Sequence, residues 1–170
     1  FEALGRGLVV EPLAENVVLA GRLFAQHAPE HLIGEWMDSL LTGEKRLSLA
    51  HAEAETRGRL PWVATSAQIN GDEVVLSGTK PYCIASGGAD GFIVSARTSG
   101  DAQDKEGVGL FLVPADAAGL SANTWHLADG SVATSLTLNK VRIPAGNRLG
   151  GGIEAIDEVE VLAALARSAE

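Results

Sequence analysis

The chain has 170 residues, 46% of them apolar and 21% charged, an ordinary globular composition that supports a core without disulfide staples. Its net charge of −9 argues against non-specific nucleic-acid binding, which neutralises phosphates with Lys and Arg, but leaves room for a small anion on a local basic patch. The single cysteine excludes an internal disulfide framework and makes a reducing, cytoplasmic setting the default; no apolar run reaches the roughly 20 residues of a membrane span.

Phe1 leads into a Gly-containing stretch, Leu4-Gly5-Arg6-Gly7, which reads as a turn. Residues 9–27 carry Val10, Leu13, Val17, Gly21 and Phe24 at three- and four-residue steps, the mark of one helical face. Glu11 and Pro12 suit its first turn. Pro29 interrupts, and a second helix follows with Leu32, Ile33, Trp36, Leu40 and Leu41 on its apolar side and Gly43 as its stop. The pair reads as an αα-hairpin. His27 and His31 lie four apart, but Pro29 stands between them and the spacing is not that of a zinc helix, so no metal site is expected.

From about Leu47 the period becomes extended. Arg46–His51, Trp62–Ile69, Glu73–Ser77, Gly91–Arg97, Val108–Val113, Ala122–His126 and Val132–Val141 read as strands. Asn70-Gly71 supplies the pair of a type I′ hairpin turn, and Ser99–Gly107 reads as a polar surface loop. Close-set strands without βαβ alternation predict an antiparallel β-barrel or sandwich. Gly150-Gly151-Gly152 then leads into a helix from Ile153 to Glu170 that lacks a stop signal. The expectation is the middle of a longer polypeptide. The fold class is α+β: helices, a central β-domain, then a helix.

Between two of those strands lies Ser77–Asp90, S-G-T-K-P-Y-C-I-A-S-G-G-A-D, with the chain's only tyrosine and only cysteine. This stretch reads as a Gly-rich crossing. Cys83, with no cysteine partner and no basic neighbour in sequence, is favoured as a small buried hydrophobe over a reactive thiol. Trp62 and Trp125 read as core or interface aromatics.

The ordered words Glu2-x-x-Gly5-Arg6-Gly7, Trp36…Gly43-Glu44, Gly78-Thr79-Lys80, Ala89-Asp90, and Val141-Arg142-Ile143-Pro144 with Leu149-Gly150 resemble the central part of the acyl-CoA dehydrogenase family. The form Ala50-His51-Ala52-Glu53-Ala54-Glu55-Thr56-Arg57 is closer to a divergent branch, resembling the small subunit of pimeloyl-CoA dehydrogenases and the paired dehydrogenases of steroid side-chain breakdown. The resemblance implies residues 1–45 as the end of an N-terminal helical domain, 46–150 as a middle β-domain and 151–170 as the start of a C-terminal helical domain. It implies FAD as cofactor, an acyl-CoA substrate, an electron-transfer flavoprotein or similar acceptor, and a homo- or hetero-oligomer of dehydrogenase subunits.

By that resemblance the cofactor-binding positions are Leu49, His51, Ala52, Gly58, Tyr82 and Ile84. Two family words are altered. Ala52-Glu53-Ala54 stands for Thr-Glu-Pro, and Tyr82-Cys83-Ile84 for Trp-Ile-Thr, so two side-chain donors to a flavin are lost at Ala52 and Ile84. Arg57 and Arg59 could pair with CoA phosphates or be solvated loop arginines. Glu53 takes a structural role, and no catalytic residue is expected in this chain. Two readings stand: a flavin-dependent acyl-CoA dehydrogenase subunit with unusual contacts, and a non-catalytic partner completing a flavin or substrate site in a hetero-oligomer. An all-β binding module with a helical hairpin is the fallback.

Overall fold

The computed structural model describes residues 1–7, 12–56, 59–128 and 130–168. Residues 9–11 of the first expected helix, and Arg57 and Gly58, lie outside the described residues. The N-terminal stretch is a short helix, α1 (Glu2–Arg6), and not the turn its glycines suggest; Glu2 in its first turn pairs with Arg6 one turn on.

A π-helix (Ala14–Gly21) runs directly into α2 (Arg22–His27). A π-helix carries more residues per turn than 3.6, so the face expected from α-periodicity rotates. Val17 faces out, while Ala14, Leu19, Ala20, Leu23 and Phe24 are buried. Ala28 and Pro29 are extended and break the chain before α3 (Glu30–Thr42), which ends at Gly43. Leu32 and Trp36 of α3 are buried, as expected; Leu41 is exposed and does not belong to its inner face.

Eight strands follow among the described residues: β1 (Leu47–Ala50), β2 (Ser66–Asn70), β3 (Glu73–Ile84), β4 (Gly91–Arg97), β5 (Val108–Pro114), β6 (Leu120–His126), β7 (Val132–Pro144) and the short β8 (Arg148–Leu149). They form one open sheet in the order β6-β7-β3-β2-β4-β5-β8, with β1 parallel alongside β4, and it does not close as a barrel. Most pairs are antiparallel; β2 touches β4 in parallel at Ser66 and Arg97. The β2–β3 loop is Gly71-Asp72, and of the two only Gly71 has positive φ. That is the pattern of a type II′ turn, one residue on from the expected Asn70-Gly71 pair.

The core explains the continuous apolar runs. Ile93 of β4 and Leu110 and Leu112 of β5 pack with Leu23, Phe24, Trp36 and the Ile156–Ala163 face of α4 (Ile153–Arg167). Phe92, Val94 and Ala96 of β4, with Phe111 and Val113 of β5, point the other way and pack with Val74, Leu76, Leu136, Leu138 and Val141 of β3 and β7. Both faces of β4 and β5 are therefore covered, helices on one side and the rest of the sheet on the other, so period-2 alternation disappears. No helix among the described residues is long and apolar enough to cross a membrane.

Candidate functional site

The end of β1, the far half of β3, the π-helix and α4 meet around a pocket of about 130 Å³. Leu49, His51 and Ala52 come from β1 and the residues after it, and Tyr82 and Ile84 from β3. Glu15 and Leu19 come from the π-helix, and Glu160 and Arg167 from α4. Arg167 bonds Glu15 Oε1 through Nε at 3.3 Å and Nη2 at 3.1 Å, closing the polar side.

A β-bulge aims the wall residues. Lys80 pairs with Leu136 and Cys83 with Thr134, so three steps on β3 match two on β7, with Pro81 and Tyr82 absorbing the difference. In a regular strand Tyr82 and Ile84 would share the inward side of Lys80. The bulge reverses the alternation: Cys83 turns inward and is fully buried, while Tyr82 and Ile84 face outward at 58% and 50% exposure. The stretch expected as a crossing is thus strand as far as Ile84. Among the described residues the ladder with β2 ends at Ser77, and further along β3 Ser48 Oγ of β1 donates to the Ile84 carbonyl at 3.2 Å.

Behind the wall lies a buried charged network. The Lys80 ammonium is fully enclosed and spends its three donors on the His51 carbonyl (3.0 Å), Glu53 Oε1 (2.7 Å) and Ser95 Oγ (3.0 Å). Glu53 also accepts from the backbone N–H groups of Ala64 (2.8 Å) and Thr65 (3.0 Å). Ser95 Oγ lies 2.9 Å from His51 Nδ1, and His51 Nε2 is fully enclosed. Burial lowers the His51 pKa to about 4, aided by the Lys80 charge and opposed by a hydrogen bond to the Leu60 backbone and by the Glu53 charge. Burial also lowers the Lys80 pKa to about 8 against the attraction of Glu53. Burial would raise the Glu53 pKa, but the charge and hydrogen bond of Lys80, with the Thr65 and Ala64 N–H groups, bring it below its usual value.

These bonds explain why β2 starts at Ser66 and not at Trp62. Ala64 and Thr65 give their N–H groups to Glu53, Val63 N–H donates to Ala102, and the Thr65 carbonyl accepts from Arg97 N–H. The Arg97 guanidinium, itself buried, donates to six backbone carbonyls, those of Pro61, Val63, Ser99, Ala102, Asp104 and Glu106. It stitches the polar 99–107 loop to the segment before β2. Backbone groups taken this way cannot form a ladder.

Five of the six expected cofactor positions, Leu49, His51, Ala52, Tyr82 and Ile84, converge on the one pocket; Gly58 lies outside the described residues. Arg59 is exposed and does not line the pocket, and Arg57 lies outside the described residues. His27 closes α2 and His31 sits in the first turn of α3. Cys83 is buried, and burial pushes its thiol up to about 12. Sequence reasoning missed Glu15, Leu19, Glu160 and Arg167, which reach the pocket only through tertiary packing. It also missed Ser95 and Arg97, whose one visible signal was polarity inside an apolar strand.

The frame words have structural causes. A Cβ on Gly78 would sit 2.5–2.8 Å from Thr65, and its φ of +152° is glycine's. Lys80 is the centre of the buried network. Asp90 Oδ2 accepts the Arg46 N–H at 2.8 Å, and its own N–H donates to the Arg46 carbonyl, fixing the start of β1 beside β4.

An open α+β sheet flanked by helices, with a bulged wall beside a buried Lys–Glu pair, defines the class. No protein-family model matches the chain. It is 34% identical over 119 residues to the mitochondrial short-chain specific acyl-CoA dehydrogenase of Sus scrofa, covering 68% of this chain and 29% of that protein. It superimposes on the ChsE4-ChsE5 complex from Mycobacterium tuberculosis with a TM-score of 0.81 and 28% identity, over 99% of this chain and 43% of that one. On a glutaryl-CoA dehydrogenase from Mycobacterium smegmatis in complex with FADH2 the TM-score is 0.77 at 27% identity, over 86% and 38%. The chain belongs to the acyl-CoA dehydrogenase family, as a divergent member. It spans about a third of the length of the curated relatives it matches.

Proposed function

We propose that the chain is the central portion of a FAD-dependent acyl-CoA dehydrogenase-like oxidoreductase, with the Leu49–Ala52 and Tyr82–Ile84 segments as the wall against the flavin. In this reading residues 1–45, 46–150 and 151–170 belong to helical, β and helical domains in turn. The observation that carries it is the convergence of five wall residues on one pocket. The residues fit a flavin in kind: two large side chains with apolar faces, Tyr82 and Ile84, stand uncovered beside Leu49 and Ala52 on the same pocket. At about 130 Å³ the pocket is below the roughly 300–1,000 Å³ of enclosed ligand sites. It therefore serves as one wall of a site completed by other chain segments or by a second subunit.

A bound flavin would supply hydride acceptance from the β-carbon of an acyl-CoA thioester, with the α-proton going to a base outside this chain. The described residues supply shape: Leu49, Ala52, Tyr82 and Ile84 offer an apolar surface to one face of the ring. An electron-transfer flavoprotein or similar acceptor would reoxidise the flavin, and a cytoplasmic setting suits the single buried thiol.

The lack of a side-chain donor at Ala52 and Ile84 favours a second reading, a non-catalytic partner that completes the flavin or substrate site of a hetero-oligomer. The absorption spectrum of the full-length protein separates the two. A yellow protein that releases FAD on denaturation supports the first reading. A colourless protein that gains flavin only with a co-expressed paralogue supports the second. Absence of flavin in both preparations overturns the flavin reading.

A further inference from the structure

The pocket beside the β1 and β3 wall is apolar except for one cluster. Leu49, Ala52, Tyr82 and Ile84 line it from the sheet, and Leu19 lines it from the π-helix. The charged lining residues with accessible side chains are Glu15 of the π-helix and Glu160 and Arg167 of α4. Arg167 ties the two helices together: Nε and Nη2 both donate to Glu15 Oε1, at 3.3 and 3.1 Å, and Nη1 lies 4.0 Å from Glu160 Oε2. The Arg167 and Glu15 side chains are 42% and 22% exposed, so water still reaches both. An accessible pair of this kind adds little to stability; its consequence is for what can enter. Each CH2 group buried against the apolar lining gains about fourfold in affinity. An alkyl group pressed against the ion pair would instead strip water from two charges, a loss their mutual attraction does not make good. The pocket therefore favours an alkyl tail as far as the pair and penalises one that reaches it.

We propose that Glu15 and Arg167 are specificity-determining residues: their ion pair between the π-helix and α4 ends the apolar lining and restricts the acyl group of the substrate to a short, uncharged chain. The inference rests on the flavin reading, in which the β1 and β3 segments meet the ring and the helical side of the pocket is left to the acyl group. A tail that ends in a carboxylate is disfavoured too, because Glu15 and Glu160 together outweigh Arg167 and leave the cluster net negative. A lone arginine would do the opposite and attract such a tail. The pair thus excludes two classes of substrate at once, long alkyl chains by desolvation and dicarboxylic ones by charge.

Calorimetric titration of the full-length protein, with its paralogue if flavin requires it, tests the cutoff with alkyl-CoA thioethers from butyl to dodecyl. These probes lack the thioester carbonyl, so binding is read without turnover. In the wild type affinity is expected to rise with the first few CH2 groups and then to level off or fall. In Glu15→Leu/Arg167→Met, which replaces the pair with apolar side chains, it is expected to keep rising, moving the dodecyl-to-butyl affinity ratio by about tenfold or more. The exchanged pair, Glu15→Arg/Arg167→Glu, is expected to keep the wild-type cutoff, and its loss there overturns the role of the pair. Wild-type affinity that climbs unbroken to dodecyl, or an unchanged profile in Glu15→Leu/Arg167→Met, overturns the inference while leaving the flavin reading standing. So does a protein that holds flavin and binds no thioether, whereas one that binds neither overturns both. Thermal melts of each variant confirm that a changed profile is not lost fold.

Discussion

Lys80→Met is the most informative perturbation of this fold. Methionine matches the length of the lysine stem but removes three donors, leaving the Glu53 carboxylate buried with only the Ala64 and Thr65 N–H groups. Breaking a buried ion pair by removing one partner costs about 3–5 kcal/mol. For a chain of this length 1 kcal/mol corresponds to about 2–4 °C in Tm, so the melt should fall by about 6–20 °C at neutral pH. The deficit should shrink toward pH 4–5. In the wild type, Glu53 has a lowered pKa, so its stabilising contribution is present above the unfolded value and lost as pH falls. Without Lys80, burial dominates and raises that pKa, so the variant relieves its penalty by binding a proton. Lys80→Met/Glu53→Leu should regain much of the loss, since the uncompensated charge is gone. Circular-dichroism melts at pH 5 and pH 7 provide the measurement. A Lys80→Met protein within about 1 kcal/mol of wild type at pH 7 would refute the reasoning.

Three other outcomes follow from particular contacts. Gly78→Ala should lose about 2–4 kcal/mol by urea unfolding, because its Cβ would overlap Thr65 at a glycine-only φ; an unchanged midpoint would mean that β3 can shift there. Arg97→Met should lower stability by a similar amount and make the 99–107 loop the first site of limited proteolysis, since six carbonyls lose a shared donor; uniform cleavage elsewhere would contradict that role. His51 binds its proton less readily when folded, near pH 4 against 6.5 unfolded, so stability should rise with pH across that window by up to about 3 kcal/mol. His51→Leu should flatten that rise, and an unchanged slope would count against burial of the ring.

Much of this fold is legible in the sequence because local chemistry and tertiary fate agree. Pro29 separates two helices, and the Val108–Val113 run is a strand covered on both faces. The departures share a cause. Val17 reads inward at 3.6 residues per turn, and a π-helix turns it out. Trp62–Thr65 has strand-like residues, but Glu53 and Arg97, distant in sequence, claim its backbone. Ser77–Ile84 looks like a crossing because Gly78 and Pro81 punctuate it, yet one marks a close approach and the other a bulge within a continuous strand. Half of the pocket, the β1 and β3 wall, is recoverable by resemblance. The half from the π-helix and α4 is not, since Glu15 and Arg167 are 152 residues apart and meet only in three dimensions.

The words that carry the family resemblance and the words that would carry chemistry are physically distinct. Gly78, Lys80, Glu53 and Asp90 are held by steric contact, a buried ion pair and a strand-start hydrogen bond. All four stabilise this fold, with or without a flavin against it. Ala52, Tyr82 and Ile84 face the pocket and do little for the core, Tyr82 and Ile84 being more than half-exposed or nearly so. Those positions can drift in a subunit whose partner completes the site, at little cost to stability. The intact frame therefore identifies the fold, while activity depends on the wall. His51 lines the pocket but belongs with the frame, its carbonyl held by Lys80 and its buried ring by Ser95, so substitutions there test the fold before they test the wall.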